Sequence, residues 1–372
     1  MATIKPYNTA AGLRYRVRYR KPGGKQTDKR GFTTKKAAEL WAANNTVNLA
    51  AGTWIDPADA NITVGQLGDV WFAQQNHLKP SSLKPVRIAW ELRVKPRWGN
   101  LPVGEVRHSD IQTWVAGLTT LDRQGKPTTT PLSATGVIYA HQVLDGILTM
   151  AVKDRRIPAN PAHDITLPRK KRKPKIYLNH KQLHALADAD PHYRTLVLFL
   201  GYLGARWGEA TALEVRHVNP LRRRVHIETN LVEVDGDLYE GDPKGGKDRT
   251  LPIPAFLMPL IAEQCEGKGP TDPLFTGRSG GRLRRPPTQR GWFQQAIIKA
   301  GVPRLTPHDL RHTAASLAVQ SGANVKALQR MLGHTSASMT LDVYADLFDD
   351  ELDALADRLD SVVGTMWAAG GE

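Results

Sequence analysis

The stretch HDLRHTAASLAVQSGANVKALQRMLGHTSASMTLDVYADL, residues 308–347, places two histidines, an arginine and a tyrosine close together in the chain. These residues are His308, Arg311, His334 and Tyr344. A second arginine, Arg206, lies well before them in GYLGARWGEATAL. Two arginines, two histidines and a tyrosine are the groups needed to attack a phosphodiester without a metal ion. The stretch therefore predicts phosphodiester chemistry and, through the motifs that it contains, the fold.

The composition is that of an ordinary globular protein with a large excess of positive charge. The 372 residues suggest two or three domains, each able to bury a core of its own. Hydrophobic residues make up 41% and charged residues 23%, as is usual for such proteins. The net charge of +15 is unusual and favours a polyanionic partner, either nucleic acid or an anionic membrane surface.

Several classes of protein are disfavoured by the same sequence. The longest apolar run, TLVLFLGYLGA, is shorter than the roughly 18 residues of a membrane span and ends at Arg206. The first residues lack the apolar stretch of a signal peptide. Cys265 is the single cysteine, which excludes an intrachain disulfide framework and a cysteine-based zinc site, so we expect it to be a buried small hydrophobe. We expect a cytoplasmic protein that has no membrane partner.

Residues 1–60 predict a small module of β-strands followed by a helix. YRVRYR alternates at period two, KPGGK reads as a hairpin turn, and a further strand runs through KRGF. TTKKAAELWAANNTVNLAAG predicts a helix that is capped by Thr33 or Thr34 and stops at Gly52. The strand places four arginines on one face, as in a β-ribbon that lies in a DNA groove: Arg14, Arg16, Arg18 and Arg20. The alternative is a solvated basic face.

Residues 61–166 predict a compact domain of four or five helices, which follows a polar linker, DPADANIT. VGQLGDVWFAQQ, HSDIQTWVAGL and SATGVIYAHQVLDGILTMAVKDRRI have apolar residues at helical spacing. Prolines at 80, 85, 96 and 102 are expected to break the region between the first two of these helices. LPRKKRKPK, residues 167–175, predicts an extended basic linker that crosses a phosphate backbone through Arg169, Lys170, Lys171, Arg172 and Lys173. A nuclear-localisation signal is a weaker interpretation.

Residues 176–372 predict a mixed domain in which helices predominate. VHIETNLVEV and RTLPIP are strand-like, with turns at DGD and KGGK. Helices return from residue 255, and the last of them is amphipathic and begins near Asp350. The whole chain is therefore expected to be mixed and mainly α, with a small antiparallel β-sheet in this last domain.

Each group of the starting stretch suits one task in phosphodiester cleavage. The planar fork of an arginine meets two phosphate oxygens and stays charged, which suits Arg206 and Arg311. His308 and His334 can act as base, acid or phosphate donor near neutral pH. A lysine in the PKGGKDR turn, Lys244 or Lys247, can protonate the leaving oxygen. Tyr344 can form the covalent bond to phosphorus, which conserves the bond energy and makes ATP unnecessary.

The motifs ARWGEATAL, HDLRHTAAS and LGHTSASMTLDVYADL resemble those of the tyrosine recombinase, or phage integrase, family over residues 176–359. The resemblance implies a mainly helical catalytic domain with a small antiparallel sheet, and it implies no cofactor and no metal. It also implies a set of catalytic residues, with Lys244 preferred over Lys247: Arg206, Lys244, His308, Arg311, His334 and Tyr344. Glu209 corresponds to an acidic family position that supports the site without reacting.

The spacing of the last motif departs from the family pattern. His334 and Tyr344 are ten residues apart, where the family more often has nine. We interpret this as one extra residue in a TSASMTLDV loop. Tyr344 is also the only tyrosine after Tyr239, so we expect no rival nucleophile nearby.

The resemblance further implies how the domains are used. Residues 61–166 resemble the core-site DNA-binding domain, which forms a C-shaped clamp with the catalytic domain 176–372 across linker 167–175. Residues 1–60 resemble the arm-type module of heterobivalent phage integrases. The expected partners are double-stranded DNA at core and arm attachment sites, a homotetramer on that DNA, a host DNA-bending protein and an excisionase. The last helix either docks on a neighbouring subunit or packs on its own chain.

The leading hypothesis is integration and excision of phage or mobile-element DNA in a bacterial cytoplasm, associated with the nucleoid. Tyr344 would form a 3′-phosphotyrosine, by type IB chemistry, and strands would exchange through a Holliday junction. The alternatives are a type IB topoisomerase or telomere resolvase, and a DNA-binding regulator without catalysis.

Two other motifs are weaker. His308 and His312 are spaced like a metal pair but lack the glutamate of HExxH, so we expect His312 to pack or to form hydrogen bonds. GDPKGGKD lacks the Ser or Thr of a P-loop.

Overall fold

The computed structural model describes residues 2–50, 54–56, 58–171, 174–243, 245, 248–287, 289–348, 359, 360 and 363. The chain divides into two compact units, Met1–Lys171 and Arg172–Glu372. The boundary falls inside segment 167–175, and the finer division into four segments stays a prediction. No helix in the described part of the chain has both the length and the apolar character needed to cross a bilayer.

The first unit begins with an antiparallel sheet in the order β1-β2-β3, followed by one helix. The bounds are β1 Thr3–Thr9, β2 Gly12–Arg20, β3 Gln26–Phe32 and α1 Lys35–Ala50. The predicted alternation of β2 is confirmed, because Val17 and Tyr19 are buried and the Tyr19 ring packs against Trp41 with centroids 5.1 Å apart. The backbone amide of Ala37 donates to the Thr34 hydroxyl at 3.1 Å, so Thr34 caps the helix.

An acidic residue of the neighbouring strand β3 lies among the arginines of β2. Asp28 of β3 lies 3.0 Å from Arg18 and 3.6 Å from Arg16, and it is also within 3.7 Å of Arg30. Hydrogen bonding from Arg18, together with the nearby arginine charges, lowers the pKa of Asp28 despite some desolvation. The carboxylate therefore holds neighbouring guanidiniums side by side on one face of the sheet.

The rest of the first unit is helical with one β-hairpin. Its elements are α2 Val64–Ala73, α3 Pro80–Ala89, α4 Lys95–Trp98, α5 His108–Ala116, β4 Thr119–Leu121, β5 Pro127–Pro131 and α6 Ala134–Lys153. Trp98, Leu144 and Ile147 lie in its core. The hairpin was not predicted, since TTL and PTTTP are too short for a clear alternation.

The prediction that prolines break the helices of this region is wrong at three positions. Pro80 opens α3, Pro85 lies inside it, and Pro96 lies in the first turn of α4. A π-helical turn, Trp90–Val94, joins the two helices. Pro80 is the first residue of α3, where the amide that a proline lacks would have no partner. The helical run continues past Pro85 and Pro96. Of these four prolines, Pro102 alone lies outside a helix.

The second unit packs helices around two small sheets. Its helices are α7 His180–Asp188, α8 Arg194–Leu203, α9 Trp207–Ala212, α10 Met258–Cys265, α11 Trp292–Ala300, α12 Asp309–Gln320, α13 Val325–Leu332 and α14 Ala337–Tyr344. Its strands are β6 Val218–Asn219, β7 Arg224–Ile227, β8 Asn230–Val234, β9 Asp237–Gly241 and β10 Arg249–Pro252. One antiparallel sheet has the order β10-β7-β6, and β8 pairs with β9.

The apolar run TLVLFLGYLGA forms the central helix of this unit. Leu196 to Leu200 are all buried in α8, on every side of the helix. A helix that is apolar all round is a buried helix, so the run is explained by its place in the core. The strand-like segment VHIETNLVEV is interrupted at Glu228 and becomes β7 and β8, which belong to different sheets.

Two glycine-terminated helices and one serine cap shape the region where the catalytic groups are predicted. Gly204 ends α8 and Gly333 ends α13, both in the left-handed conformation, with φ of 66° and 62°. The Ser336 hydroxyl accepts from the backbone amide of Met339 at 3.1 Å and caps α14. The prediction of a TSASMTLDV loop is therefore wrong, because residues 337–344 are helical.

Some predicted features lie outside the described residues. They are Lys244 and Lys247 of the hairpin turn, Arg172 and Lys173 of the linker, Gly52, and nearly all of the helix predicted from Asp350.

Candidate active site

Arg206 lies at the start of α9, where the chain leaves the central helix. Its backbone amide donates to Glu209 Oε2 at 2.8 Å and its Nη1 donates to Glu209 Oε1 at 2.7 Å. Nη2 also lies 3.4 Å from the carbonyl oxygen of Gly333. The side chain is thus held between the first turn of α9 and the end of α13, and its remaining surface faces outward.

A second arginine shares the same carboxylate and was not predicted. Arg249 opens β10 and donates from Nη1 and Nη2 to the two oxygens of Glu209, at 3.0 and 2.6 Å. Its Nε donates to the carbonyl of Met331 at 3.2 Å. A signal was present in RTLPIP, where Arg249 shares the inward parity of the buried Leu251 and Ile253. An arginine on an inward-facing strand position needs an acidic partner.

Glu209 is fully buried beneath these guanidiniums. Burial alone would raise the pKa of Glu209, but the hydrogen bonds and charge of Arg249 and the charge of Arg206 lower this pKa to about 2. The carboxylate is therefore ionised at neutral pH. It balances one of the positive charges that meet here and leaves the site cationic.

Arg311 lies in the first turn of α12 and is almost fully buried. Its Nη1 donates to the carbonyl of Gly204 at 2.6 Å, and its Nη2 donates to the carbonyl of Leu332. The left-handed ends of α8 and α13 therefore supply the acceptors that orient it. Burial and the nearby charge of Arg206 lower the pKa of Arg311 to about 9, so it remains protonated at neutral pH.

The two predicted histidines flank these arginines. His308 precedes α12, keeps an exposed surface and lines the same cavity as Arg206. Desolvation by the surrounding protein lowers the pKa of His308, as do His312 and Arg311. His334 follows Gly333, and its Nδ1 lies 2.9 Å from the Thr340 hydroxyl. Partial burial, followed by the charges of Arg311 and Arg206, lowers the pKa of His334 to about 4, so its ring is neutral at pH 7.

Tyr344 ends α14 and is only 1% exposed. Its ring stacks on His334, with centroids 6.4 Å apart and planes 10° apart. Its hydroxyl lies 2.8 Å from Nδ1 of His312. Burial raises the pKa of the phenol to about 12, although Arg311 and Arg206 act to lower it. The phenol is therefore protonated at neutral pH and needs a proton acceptor before it can attack.

Lys175 reaches this tyrosine from the end of segment 167–175. Its Nζ lies 5.5 Å from the centroid of the Tyr344 ring and donates to the carbonyl of Val343. It also lies 3.4 Å from Asp346. Lys175, the last residue of the predicted linker, is therefore in contact with α14, which contains the predicted nucleophile Tyr344.

A second tyrosine lies near Tyr344, and the expectation that Tyr344 has no rival nucleophile stays a prediction. Tyr177 packs against the hydrophobic cluster that contains Tyr344, although the two are far apart in sequence. Its hydroxyl is buried without a hydrogen-bond partner in the described structure. Burial raises the pKa of Tyr177 to about 12, as for Tyr344. Sequence distance could not exclude this neighbour, because the fold brings the start of the unit beside α14.

His312 forms hydrogen bonds, as expected, but its partner was not foreseen. Besides the contact with Tyr344, its ring meets that of His308 edge to face, with centroids 5.5 Å apart. His312 follows Arg311 directly on α12 and so faces a different side of the helix. His312 therefore contacts two members of the predicted catalytic set, His308 and Tyr344.

The structure thus brings together six of the predicted residues: Arg206, Glu209, His308, Arg311, His334 and Tyr344. Lys244 lies outside the described residues. Its neighbour Gly245 lines a cavity together with Arg249 and His334. Seven of the residues predicted to contact DNA belong to the first unit: Arg14, Arg16, Arg18, Arg20, Arg169, Lys170 and Lys171. The last three are exposed and lie outside any helix or strand.

Residues 176–351 match the family model described as "Phage integrase family". The chain belongs to this family. It is a tyrosine-type site-specific recombinase, and its fold is mixed and mainly helical with small antiparallel sheets, as predicted.

Curated relatives of this recombinase agree with the family. It is 26% identical to the integrase of Mycobacterium phage D29 over 330 residues, which are 84% of each chain. It is also 26% identical to tyrosine recombinase XerD of Corynebacterium glutamicum over 269 residues, 67% of this chain and 81% of the relative.

Solved structures of two integrases share the fold. The Tn1549 transposon integrase in complex with a circular intermediate DNA has a TM-score of 0.65 and 21% identity, covering 80% of this chain and 99% of that one. A lambda integrase tetramer bound to a Holliday junction has a TM-score of 0.55 and 17% identity, covering 89% of this chain and 96% of that one.

Proposed function

We propose that this recombinase cleaves and rejoins duplex DNA through Tyr344, and that it integrates and excises phage or mobile-element DNA. The observation that carries the proposal is the position of Tyr344 beside His334 and two guanidiniums, those of Arg206 and Arg311. A phosphodiester placed against these guanidiniums has its charge stabilised. The same two arginines act to lower the pKa of Tyr344, which is the proposed nucleophile.

The proposed step conserves the number of phosphoester bonds. The Oη atom of Tyr344 forms a bond to phosphorus, the bond between phosphorus and the 5′ oxygen breaks, and the 5′ oxygen leaves as a hydroxyl. The product is a 3′-phosphotyrosine, which a 5′ hydroxyl from another strand can attack in turn. Strand exchange then passes through a Holliday junction without ATP.

Each neighbouring residue has a role that its position supports. Arg206 and Arg311 bind the non-bridging phosphate oxygens, and Glu209 keeps Arg206 oriented. His308 and His334 donate hydrogen bonds to the phosphate, since both rings favour the neutral form and have a nitrogen to offer. Lys244, five residues before Arg249 in the sequence, is the proposed acid for the leaving 5′ oxygen.

The proposed partners follow from charge and from the relatives. Double-stranded DNA is the substrate, held by the basic linker and by the arginine face of β2 at core and arm sites. Relatives have been solved on DNA and as a tetramer on a Holliday junction, so we propose a homotetramer on DNA here. A host DNA-bending protein, an excisionase and the bacterial cytoplasm complete the proposal. The topoisomerase and telomere-resolvase alternative is not favoured, because the relatives reported above are named integrases and recombinases.

A covalent trap tests the proposal. The probe is a nicked duplex built on the sequence that the protein selects from a random DNA library; cleavage beside the nick releases a short strand and traps the adduct. We expect a protein–DNA adduct that survives denaturing electrophoresis. Tyr344→Phe should form none, and Tyr177→Phe should form it normally. Absence of any adduct, or an adduct that maps to Tyr177, would exclude Tyr344 as the nucleophile.

A further inference from the structure

We infer that His312 is the general base that takes the proton of Tyr344 during cleavage. The inference rests on the proposed function, because it requires Tyr344 to be the nucleophile. It gives a catalytic role to a residue outside the set Arg206, Lys244, His308, Arg311, His334 and Tyr344.

The geometry is that of a base in contact with its acid. Nδ1 of His312 lies 2.8 Å from Oη of Tyr344, within the range of about 2.6 to 3.2 Å that direct proton transfer requires. The two rings meet edge to face, with centroids 5.5 Å apart and planes 61° apart. An imidazole lone pair lies in the plane of its ring, so this edge contact directs Nδ1 at the hydroxyl.

The surroundings of His312 favour the neutral ring that a base needs. Burial lowers the pKa of His312, Asp309 acts to raise it, and Lys175 and Arg311 act to lower it further. His308 and Tyr344 are the other titratable groups that touch this ring. A neutral imidazole that has its proton on Nε2 presents Nδ1 as an acceptor for the phenol proton.

The other two histidines are less well placed for this task. His334 stacks its face on the Tyr344 ring, and its Nδ1 is already bonded to Thr340. The phenol hydroxyl is hydrogen-bonded to His312 and, among the described residues, not to His334. His308 contacts His312 rather than the tyrosine, so it lies one ring farther from the proton.

The proton balance of the step is complete in both directions. In cleavage, the proton of Oη moves to Nδ1 of His312 while the bond from Oη to phosphorus forms and the bond to the 5′ oxygen breaks. The 5′ oxygen takes its proton from a separate acid. In rejoining, a 5′ hydroxyl attacks phosphorus and gives its proton to the conjugate base of that acid, while the bond from phosphorus to Oη breaks and His312 returns its proton to Oη. Asp309 stabilises the imidazolium that exists between the two steps.

The substitution His312→Asn separates a base from a merely positioning residue. The asparagine oxygen can occupy the place of Nδ1 and accept the same hydrogen bond, but it cannot hold the proton. We expect adduct formation on the nicked duplex to slow by about 100-fold or more. The matched control is His180→Asn, because Nδ1 of His180 lies 2.8 Å from the hydroxyl of Tyr202 in the same unit. This control should cleave like the wild type.

A substrate with a sulfur leaving group shows which proton transfer the substitution His312→Asn slows: removal of the proton from Tyr344 or protonation of the leaving atom. In a duplex with a 5′-bridging phosphorothiolate at the cleaved position, the leaving thiolate needs no acid. We expect His312→Asn to remain slow on this substrate. If His312→Asn cleaves the phosphorothiolate duplex at the wild-type rate, His312 acts on the leaving atom. If the variant cleaves both the ordinary and the phosphorothiolate duplex at the wild-type rate, His312 has no role in catalysis. Either result overturns the inference.

The wild-type protein offers a test that does not depend on a folded variant. On the phosphorothiolate duplex the cleavage rate should fall with decreasing pH only below the ordinary histidine pKa, because His312 must be neutral to act. A rate that rises steadily with pH toward the pKa of a phenol would show attack by free phenolate and exclude the base. Failure of Tyr344→Phe to abolish the adduct would instead contradict the proposed function itself.

Discussion

At the residue scale, one buried carboxylate organises the cationic site. Glu209 accepts hydrogen bonds from Arg206 and Arg249, which come from α9 and β10. Removing one partner of such a buried network leaves the other charges uncompensated, which costs about 3 to 5 kcal/mol. Glu209 is thus a structural requirement for the orientation of Arg206.

We predict that Glu209→Gln destabilises the second unit by about 3 kcal/mol and slows adduct formation by roughly 100-fold, since Arg206 loses its fixed position. Urea unfolding and the covalent trap measure the two effects. Asp188→Asn is the control, because Asp188 forms an exposed pair with Arg194 at 2.6 Å, and exposed pairs contribute at most about 1 kcal/mol. Equal effects of the two substitutions would contradict the special role of Glu209.

The residues of the site were predictable only where a linear motif contains them. Tyr344 and Arg311 stand in recognisable motifs, and the fold places them together. Arg249, Tyr177 and His312 were missed or left without a role, because their importance arises from contacts between separate segments. Arg249 meets Glu209 only after β10 packs beside α9, and no spacing in the sequence expresses that contact.

At the element scale, the helix that contains the proposed nucleophile is short and depends on its cap. α14 has eight residues, and Ser336 satisfies one of the backbone amides that its first turn leaves free. Isolated helices of this length are not stable in water, so the cap and the packing of Tyr344 hold it together.

We predict that Ser336→Ala weakens the first turn of α14 by about 1 kcal/mol. Amide hydrogen exchange at Met339 should then accelerate about fivefold. Ser133→Ala, which removes the equivalent cap of α6, should leave exchange in α14 unchanged. Unchanged exchange at Met339 in the Ser336 variant would show that the cap does not hold the turn.

Local patterns predicted some elements well and misjudged others for identifiable reasons. The strand β2 and the helix α6 have strong periodicity, so the sequence alone was sufficient for them. The rule that proline breaks helices misjudged α3, which begins at Pro80, where a proline is tolerated, and continues past Pro85. The spacing of ten residues between His334 and Tyr344 predicts an insertion in a loop. In the structure, the extra residue is part of the helix α14.

At the scale of the whole molecule, the charge of +15 makes salt the main control of DNA affinity. Each phosphate that a lysine or arginine neutralises contributes about −0.9 to the slope of log affinity against log salt. The linker residues Arg169, Lys170 and Lys171 are exposed and free of helix or strand, so their side chains can follow a phosphate backbone.

We predict that replacing Arg169, Lys170 and Lys171 by glutamine makes the salt slope shallower by about 2.7, if each binds one phosphate. Fluorescence anisotropy on the selected duplex over a series of salt concentrations measures it. Tyr344→Phe changes no charge and should keep the wild-type slope. A triple variant with an unchanged slope would remove these residues from the DNA interface.

The composition pointed to nucleic acid but could not identify the bound sequence. Net charge reports the number of phosphates that a protein can neutralise, whereas base recognition depends on where individual side chains lie in a groove. The overall class was therefore predictable from the sequence, and the attachment site was not.

The position of the boundary at Lys171 and Arg172 has a consequence for inheritance and for engineering. Every described residue of the candidate active site lies beyond that boundary, between Arg206 and Tyr344. A gene fusion joined at this point would exchange the entire first unit while taking all the described residues of the proposed catalytic set from one parent. Crossovers between related genes can therefore give the chain a new first unit and keep that set intact.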